Sequence, residues 1–164
     1  MDSETLNDLL LNINQRLSWI VLWGDPAFSA DEGPQIFSDH TIEHWFPMHP
    51  AAMKPGDILF VHRIKVKKLI FVAETTSSPR KAREEEVKKD PRQKRWMWSV
   101  DTRNLTPIYG AHWDEYSLKT FNLADEYNEL NPQDQVNIRR LQFGAPVRIS
   151  TGFARFLLNQ IIRL

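Results

Sequence analysis

The chain of 164 residues contains no cysteine, which excludes disulfide bonds, a thiolate nucleophile and cysteine-ligated zinc. It also lacks any apolar run of the ~18 to 20 residues that are needed to cross a bilayer. The N-terminus, MDSETLNDLL, is acidic and polar, unlike a signal peptide. We therefore expect a cytoplasmic protein that has no membrane partner.

The sequence also has none of the motifs that mark the common catalytic sites. It contains no GxxxxGK[ST], GxGxxG, GxSxG or HExxH, so we expect a protein that is not an enzyme and has no cofactor. His40 and His44 could bind a metal from one face of a short helix, which we predict over residues 41–46. Pro47 interrupts that segment, so histidines without a metal are the favoured interpretation.

Length and periodicity predict one α+β domain. With 41% hydrophobic and 26% charged residues, the chain can bury roughly two thirds of its unfolded surface. Leucines and isoleucines at helical spacing predict an N-terminal helix over residues 1–17, and STGFARFLLNQIIRL predicts a closing helix. Five apolar segments predict strands, the second and third as a hairpin: SWIVLW, DILFVHR, KLIFVAETT, RWMWSVDTR and VRIS. Helices of crossover length rarely separate these strands, so we expect a small, curved, mixed or antiparallel barrel flanked by helices.

Positive charge is concentrated in one part of this neutral chain. Between Lys54 and Arg95, thirteen basic residues outnumber six acidic ones, a local net charge of +7. Residues 79–95 form a basic excursion that has few apolar residues to bury. The excursion could face the phosphates of a nucleic acid, or it could be a solvated helix stabilised by its own Glu–Lys pairs. Both interpretations stay open.

Aromatic residues are the other unusual feature, since the chain has six tryptophans. Trp19, Trp23, Trp45 and Trp98 lie where the predicted strands begin or end. Aromatic planes at strand ends can stack on a flat ligand such as a nucleobase, although burial in the core is the commoner role of any one tryptophan. We assign Trp19 to the core, and in the RWMWSVDTR strand the alternation places Trp96 and Trp98 on one face.

Four segments resemble, in order, the EVE domain, a member of the PUA-like superfamily that is related to YTH domains. The segments are SWIVLWGDPAFS, HWFPMHPAAMKPGDILFVHR, KLIFVAETT and DPRQKRWMWSVDTR. The MKPGD turn of that family is intact from Met53 to Asp57, and the resemblance extends more loosely to Ile162. It implies a PUA-like fold for a single domain over residues 1–164.

The resemblance also implies a function. EVE and YTH domains are similar in holding one flipped base, often a modified one, in an aromatic pocket at the rim of the barrel. By position, the base-pocket residues would be Trp23, Gly24, Asp25, Trp45, Phe46, Trp96 and Trp98, with one of the last two forming the second wall. The phosphate-contacting residues would be Arg63, Lys65, Arg80, Lys81, Lys94 and Arg95. The expected partners are DNA or RNA carrying a modified base, and a fused or bound effector protein.

The sequence departs from the family's pattern after the first strand. Trp23 and Gly24 stand where the family often has lysine and serine, which leaves the identity of the base open. An alternative function is a protein-interaction or scaffold domain, or a homo-oligomer, that uses the exposed aromatics and the last helix. A third option is a small-molecule enzyme built on the same pocket.

Overall fold

The computed structural model describes residues 3–23, 41–63, 68–106, 127, 129–134 and 144–160. The helices are α1 (Ser3–Asn12), α2 (Glu84–Lys89) and α3 (Thr151–Asn159), and 3₁₀ turns lie at Ile13–Gln15, Pro91–Lys94 and Pro132–Asp134. The strands are β1 (Ser18–Trp23), β2 (Thr41–Phe46), β3 (Ile58–Arg63), β4 (Lys68–Thr75), β5 (Arg80–Lys81), β6 (Trp98–Asn104) and β7 (Val147–Ile149). None of the described helices is long and apolar enough to span a membrane.

The strands form one curled mixed sheet, which makes a half-barrel. Six of them follow the order β2-β6-β4-β3-β1-β7, and the short β5 pairs with the start of β6. β1 and β3 are parallel, whereas the other neighbouring strands are antiparallel. The α+β class, the curved mixed sheet flanked by helices and the β3–β4 hairpin are therefore confirmed.

Both faces of the central strands are buried, because successive side chains in a strand point to opposite faces. On one face, Ile20 and Phe60 pack beneath α1 and α3 in a single apolar cluster. On the other face, Trp19 and Leu59 belong to a second cluster inside the half-barrel. This two-sided burial explains why these strands read as continuous apolar runs rather than as polar and apolar alternation.

The MKPGD turn is tied to the first strand by a buried carboxylate. Gly56 has a φ of +91°, which is a conformation that a residue without a Cβ adopts at little cost. The Asp57 carboxylate then accepts hydrogen bonds from the Trp19 indole nitrogen and the Lys54 amide, both at 3.0 Å. Trp19 is only 7% exposed, so its assignment to the core is confirmed.

The terminal helices bury their apolar sides against the same face of the sheet. Leu6 and Leu9 of α1 are buried, and the 3₁₀ turn that follows ends at Gln15, so the predicted N-terminal helix is confirmed over most of its length. In α3, Ser150 is the N-cap, and its side chain accepts from the Phe153 amide at 3.0 Å. Residues 161–164 of the predicted closing helix lie outside the described residues.

The helix predicted over residues 41–46 is wrong, because this segment forms β2. It pairs with β6 along its whole length, from Thr41 opposite Arg103 to Phe46 opposite Trp98. His44 and Phe46 are each 1% exposed, whereas Glu43 between them is exposed. This alternation has the period of a strand, and it was hidden in the sequence because a histidine occupies one of the buried positions.

The basic excursion is an ordered appendage of the sheet. It begins as β5, continues as α2 and ends in the 3₁₀ turn that starts at Pro91. α2 has no buried residue, so this part of the excursion is an exposed helix. β5 attaches the excursion to the sheet by pairing with β6, and Arg80 of β5 holds α2 through a two-point ion pair with Glu86 at 2.9 and 2.8 Å.

Candidate functional site

Trp45 lies on the outer face of the sheet, beside Arg80. Trp45 of β2 and Arg80 of β5 are both register partners of Ser99 in β6, so the three side chains share one face and form a row across three strands. The Arg80 guanidinium carbon is 5.4 Å from the centroid of the Trp45 ring, which is a cation–π contact. Beneath this pair Ser99 is fully buried.

The charge of Arg80 is compensated by two carboxylates. Arg80 donates to Glu43 at 2.8 Å as well as to Glu86. The hydrogen bond from Arg80, together with one from the backbone of Arg83, lowers the pKa of Glu86 to about 2. The same ion pair raises the pKa of Arg80, with the hydrogen bond to Glu86 as the largest cause. Arg80 therefore holds α2 against β5 and joins β5 to Glu43 of β2, and these two contacts neutralise its charge.

A second aromatic group lies on the other face of the sheet, and we call His49, Trp96 and Trp98 the aromatic rim. Trp98 is half-buried and packs against the cluster inside the half-barrel. The exposed His49 ring stacks on it with centroids 3.9 Å apart and an interplanar angle of 19°. The guanidinium carbon of Arg95 lies 5.9 Å from the centroid of the Trp96 ring.

Trp96 also closes a gap in the half-barrel. Gly144, just before β7, has a φ of +75° and is buried. A Cβ built on it would lie 2.7 Å from Trp96 Cη2 and 3.4 Å from Pro47 Cδ. The ring of Trp96 therefore occupies the space that Gly144 leaves, between the end of β2 and the start of β7.

Trp45 and Trp98, one of the two candidates for the second wall of the base pocket, do not share a face. Trp98 is the register partner of Phe46, whereas Trp45 is the partner of Ser99. Adjacent residues of a strand point to opposite faces, so Trp45 points outward and Trp98 points into the half-barrel. The expectation that Trp45 faces a tryptophan of this strand across one slot is wrong for Trp98, because the β2–β6 register places them on opposite faces.

The other predicted pocket residues are placed as follows. The side chain of Phe46 is buried in the cluster inside the half-barrel. Trp23 is the last residue of β1, and its side chain, like Gly24 and Asp25, lies outside the described residues. The sheet order puts three strands between β1 and β2.

The predicted phosphate-contacting residues fall into three groups. Lys81, Lys94 and Arg95 are exposed on the excursion, and Lys81 is the register partner of Trp98. Arg63 ends β3, but its side chain and the whole of Lys65 lie outside the described residues. The structure thus brings exposed cations next to the aromatic rim, whereas Arg80 lies beside Trp45 on the other face.

His44 is a core residue. It is the register partner of Val100, and its ring centroid is 5.9 Å from that of Phe71. Burial lowers its pKa to about 3, because the charged imidazolium would lose its hydration. His40 lies outside the described residues, and within the described ranges no three His, Asp or Glu residues are grouped to hold a metal.

The sequence offered no signal for two polar clefts. One, of about 290 Å³, lies between α1 and the β4–β6 ladder, where Glu74 forms ion pairs with Arg16 and Arg103. The other, of about 280 Å³, lies at the start of α3 and includes Ser18 and Asp134 in its lining. In both clefts the residues that meet are far apart in the chain, so no local motif marks them.

Comparisons with known proteins add little. No protein-family model matches the chain, and a comparison with curated proteins finds no match. Among solved structures, the chain is similar to an NMR structure of Rpa0253 from Rhodopseudomonas palustris, with 17% sequence identity and a TM-score of 0.34. The match covers 56% of this chain and 62% of that one. A likeness at this TM-score supports no conclusion about function.

Proposed function

We propose that this chain is a nucleic-acid-binding module of the EVE and PUA-like kind, without catalytic activity, which holds a flipped and modified base at the aromatic rim. The observation that carries the proposal is the stack of exposed His49 on half-buried Trp98, next to exposed cations. Single-strand and flipped-base recognition combines stacking on an aromatic ring with basic groups that neutralise the backbone. Both are present within one stretch of the chain, Lys81 to Trp98.

The stacking position is already occupied by a flat ring. The ring centroid of His49 lies 3.9 Å from that of Trp98 and the two rings are 19° from parallel, so this face of Trp98 accepts a flat ring. Because His49 is exposed, its ring can leave and a base can take its place without disturbing the core. Stacking contributes about 1 to 3 kcal/mol per base, which offsets most of the few kcal/mol needed to extrude a base from a duplex.

The backbone contacts would come from the excursion. Lys81 lies opposite Trp98 in the β5–β6 pair, and Arg95 lies on the ring of Trp96. An extruded base on Trp98 would bring its flanking phosphates to these cations. The proposal therefore moves the principal base contact from Trp45 to Trp98, since Trp45 is covered by Arg80 on the other face.

A scaffold role has less support. The apolar side of α3 is buried within this chain through Phe153, Ala154, Leu157 and Leu158, so it is not available to a partner. The large apolar residues that are exposed among the described residues, Leu11, Met48 and Leu130, lie on separate segments.

The proposal also includes a cytoplasmic location for the module and an effector protein that is fused or bound to it.

The test is binding to labelled oligonucleotides, measured by fluorescence anisotropy at two salt concentrations. The panel contains single and double strands, each with and without a modified base. We expect binding that weakens with salt and depends on the modification. Lys81→Gln should reduce the slope of log affinity against log salt by about 1, as expected for the loss of one phosphate contact.

Variants at the rim separate stacking from charge. Trp98→Ala should weaken the preference for the modified base, and circular dichroism must first show that this variant folds. His49→Ala leaves Trp98 in place and should keep or strengthen binding, because it removes the ring that competes with the base. Arg155→Gln on α3 is the matched control for Lys81→Gln, since it removes an exposed charge elsewhere. If no oligonucleotide binds, or if Lys81→Gln behaves like the control, the proposal is refuted.

A further inference from the structure

Three charged side chains fasten the excursion on the outer face of the sheet, and we call Arg80, Glu43 and Glu86 the clasp. Arg80 of β5 donates to Glu43 of β2 at 2.8 Å and to both carboxylate oxygens of Glu86 in α2, at 2.9 and 2.8 Å. Glu86 also accepts from the Arg83 amide at 2.7 Å, which holds its carboxylate at the start of α2. One guanidinium group thus joins three elements, β2, β5 and α2.

Besides the clasp, the described residues hold this part of the excursion by a short stretch of backbone pairing. β5 has two residues, which pair with Ser99 and Trp98 of β6. After β5, the Ala82 amide donates to the Met97 carbonyl at 2.7 Å. α2 has no buried residue, so the burial of apolar surface does little to hold it. The ion pairs of the clasp therefore keep α2 against β5.

The clasp fixes Lys81, although Lys81 lies on the other face of the sheet. Successive residues of a strand point to opposite faces, so Arg80 points to the outer face while Lys81 points to the face of Trp98, its register partner. Lys81 is exposed there. Because Arg80 and Lys81 are neighbours in one short strand, the contacts that hold Arg80 also hold Lys81 beside the aromatic rim.

The clasp also limits where the cations at the far end of the excursion lie. α2 leads into the turn at Pro91–Lys94, and both Lys94 and Arg95 are exposed. The Arg95 guanidinium carbon is 5.9 Å from the centroid of the Trp96 ring, which belongs to the rim. Since this turn follows α2 so closely, a helix that is released from Arg80 would carry these cations away from the rim.

We propose that Glu86 is a positioning residue for the nucleic acid: through Arg80, it keeps the cations of the excursion beside the aromatic rim. This inference rests on the proposed function, and it gives Glu86 an effect opposite to that of its charge. An acidic side chain ordinarily weakens the binding of a polyanion, because it offsets the positive potential of the surface. Glu86 strengthens binding instead, because its own charge is neutralised by Arg80 while several cations depend on it for their placement.

The test compares Glu86→Ala with Glu85→Ala by fluorescence anisotropy, on the oligonucleotide of the panel that the natural chain binds most tightly. Both variants lose one negative charge from the first turn of α2 and gain alanine, a strong helix former, but Glu85 is exposed and takes no part in the clasp. Glu86→Ala should raise the dissociation constant about threefold or more and reduce the slope of log affinity against log salt by about 1, as for the loss of one phosphate contact. Glu85→Ala should bind as tightly as the natural chain or more tightly.

Two further measurements separate positioning from general disruption. The preference for the modified base should stay unchanged in Glu86→Ala, because that preference depends on stacking at Trp98. In the free protein, the Ala82 amide should exchange its hydrogen about tenfold faster in Glu86→Ala than in Glu85→Ala, because β5 opens more often without the clasp. Equal affinities of the two variants, loss of the preference in Glu86→Ala, or equal exchange rates at Ala82 would each overturn the inference. Failure of the natural chain to bind any oligonucleotide is a different result, which refutes the proposed function itself.

Discussion

Lowering the pH from 7 to 5 should destabilise this protein through His44. The ring is 1% exposed and lies in the cluster inside the half-barrel, near Phe71. Burial lowers its pKa to about 3 in the folded state, whereas a histidine in the unfolded chain has a pKa of about 6.5. Between these two values the unfolded state binds more protons, so the free energy of unfolding falls as the pH falls.

The magnitude follows from the two pKa values. Above pH 6.5 both states hold His44 neutral, and its contribution to stability is fully present. Below that value the free energy of unfolding falls by about 1.4 kcal/mol per pH unit, which amounts to about 2 kcal/mol between pH 7 and pH 5. A loss of this size is a large fraction of the ~5 to 15 kcal/mol that stabilises a typical domain.

Urea unfolding followed by tryptophan fluorescence, at intervals from pH 7.5 to pH 5, measures this loss. The range stops at pH 5 because Glu86, with its pKa lowered to about 2, begins to reduce stability only below about pH 4.5. His44→Leu has a similar volume and cannot titrate. Between pH 7.5 and pH 5, its free energy of unfolding should therefore fall by about 2 kcal/mol less than that of the natural chain. His49→Leu, at the exposed histidine of the rim, should keep the full pH dependence. The reasoning is refuted if His44→Leu retains the slope of the natural chain.

Two further predictions concern the turns that position the sheet. Asp57→Ala leaves the buried Trp19 indole N–H without its acceptor and should cost about 1 to 3 kcal/mol in urea unfolding, whereas Asp57→Asn keeps an acceptor and should cost less; equal losses would contradict this role. Gly144→Ala and Gly56→Ala both place a side chain at positive φ, which costs roughly 1 to 2 kcal/mol. Gly144→Ala should lower the free energy of unfolding more than Gly56→Ala, because the new Cβ at residue 144 meets Trp96 and the one at residue 56 meets nothing within 4 Å. A larger loss for Gly56→Ala would show that Trp96 does not occupy the space over Gly144.

Much of the fold could be predicted because its signals are local. The hairpin of β3 and β4 was predictable from two apolar runs on either side of a basic connection, and α1 from leucines at helical spacing. The exposed α2 was predictable because a helix without apolar residues has nothing to bury. β2 was not, since its buried face is carried partly by His44, which reads as polar in the sequence.

For the candidate site, the sequence predicted the types of residue but not their arrangement. Aromatic and basic residues at strand ends indicated a base-binding rim, and this remains the proposed function. The register of β2 against β6 decided that Trp45 and Trp98 point to opposite faces, and β5 decided which cations lie beside Trp98. The β2–β6 register relates two segments more than fifty residues apart, and a shift of one residue would reverse the faces of a strand.

The sequence by itself determined the apolar runs of β1, β3 and β4, the two terminal helices and where the charge is concentrated, because these depend on composition and short-range periodicity. Only the tertiary structure decided which residues from distant parts of the chain come into contact. Arg80 is bound to Glu43, and Trp96 occupies the space over Gly144. Each of these contacts joins residues from different parts of the chain, so it forms only when the chain is folded.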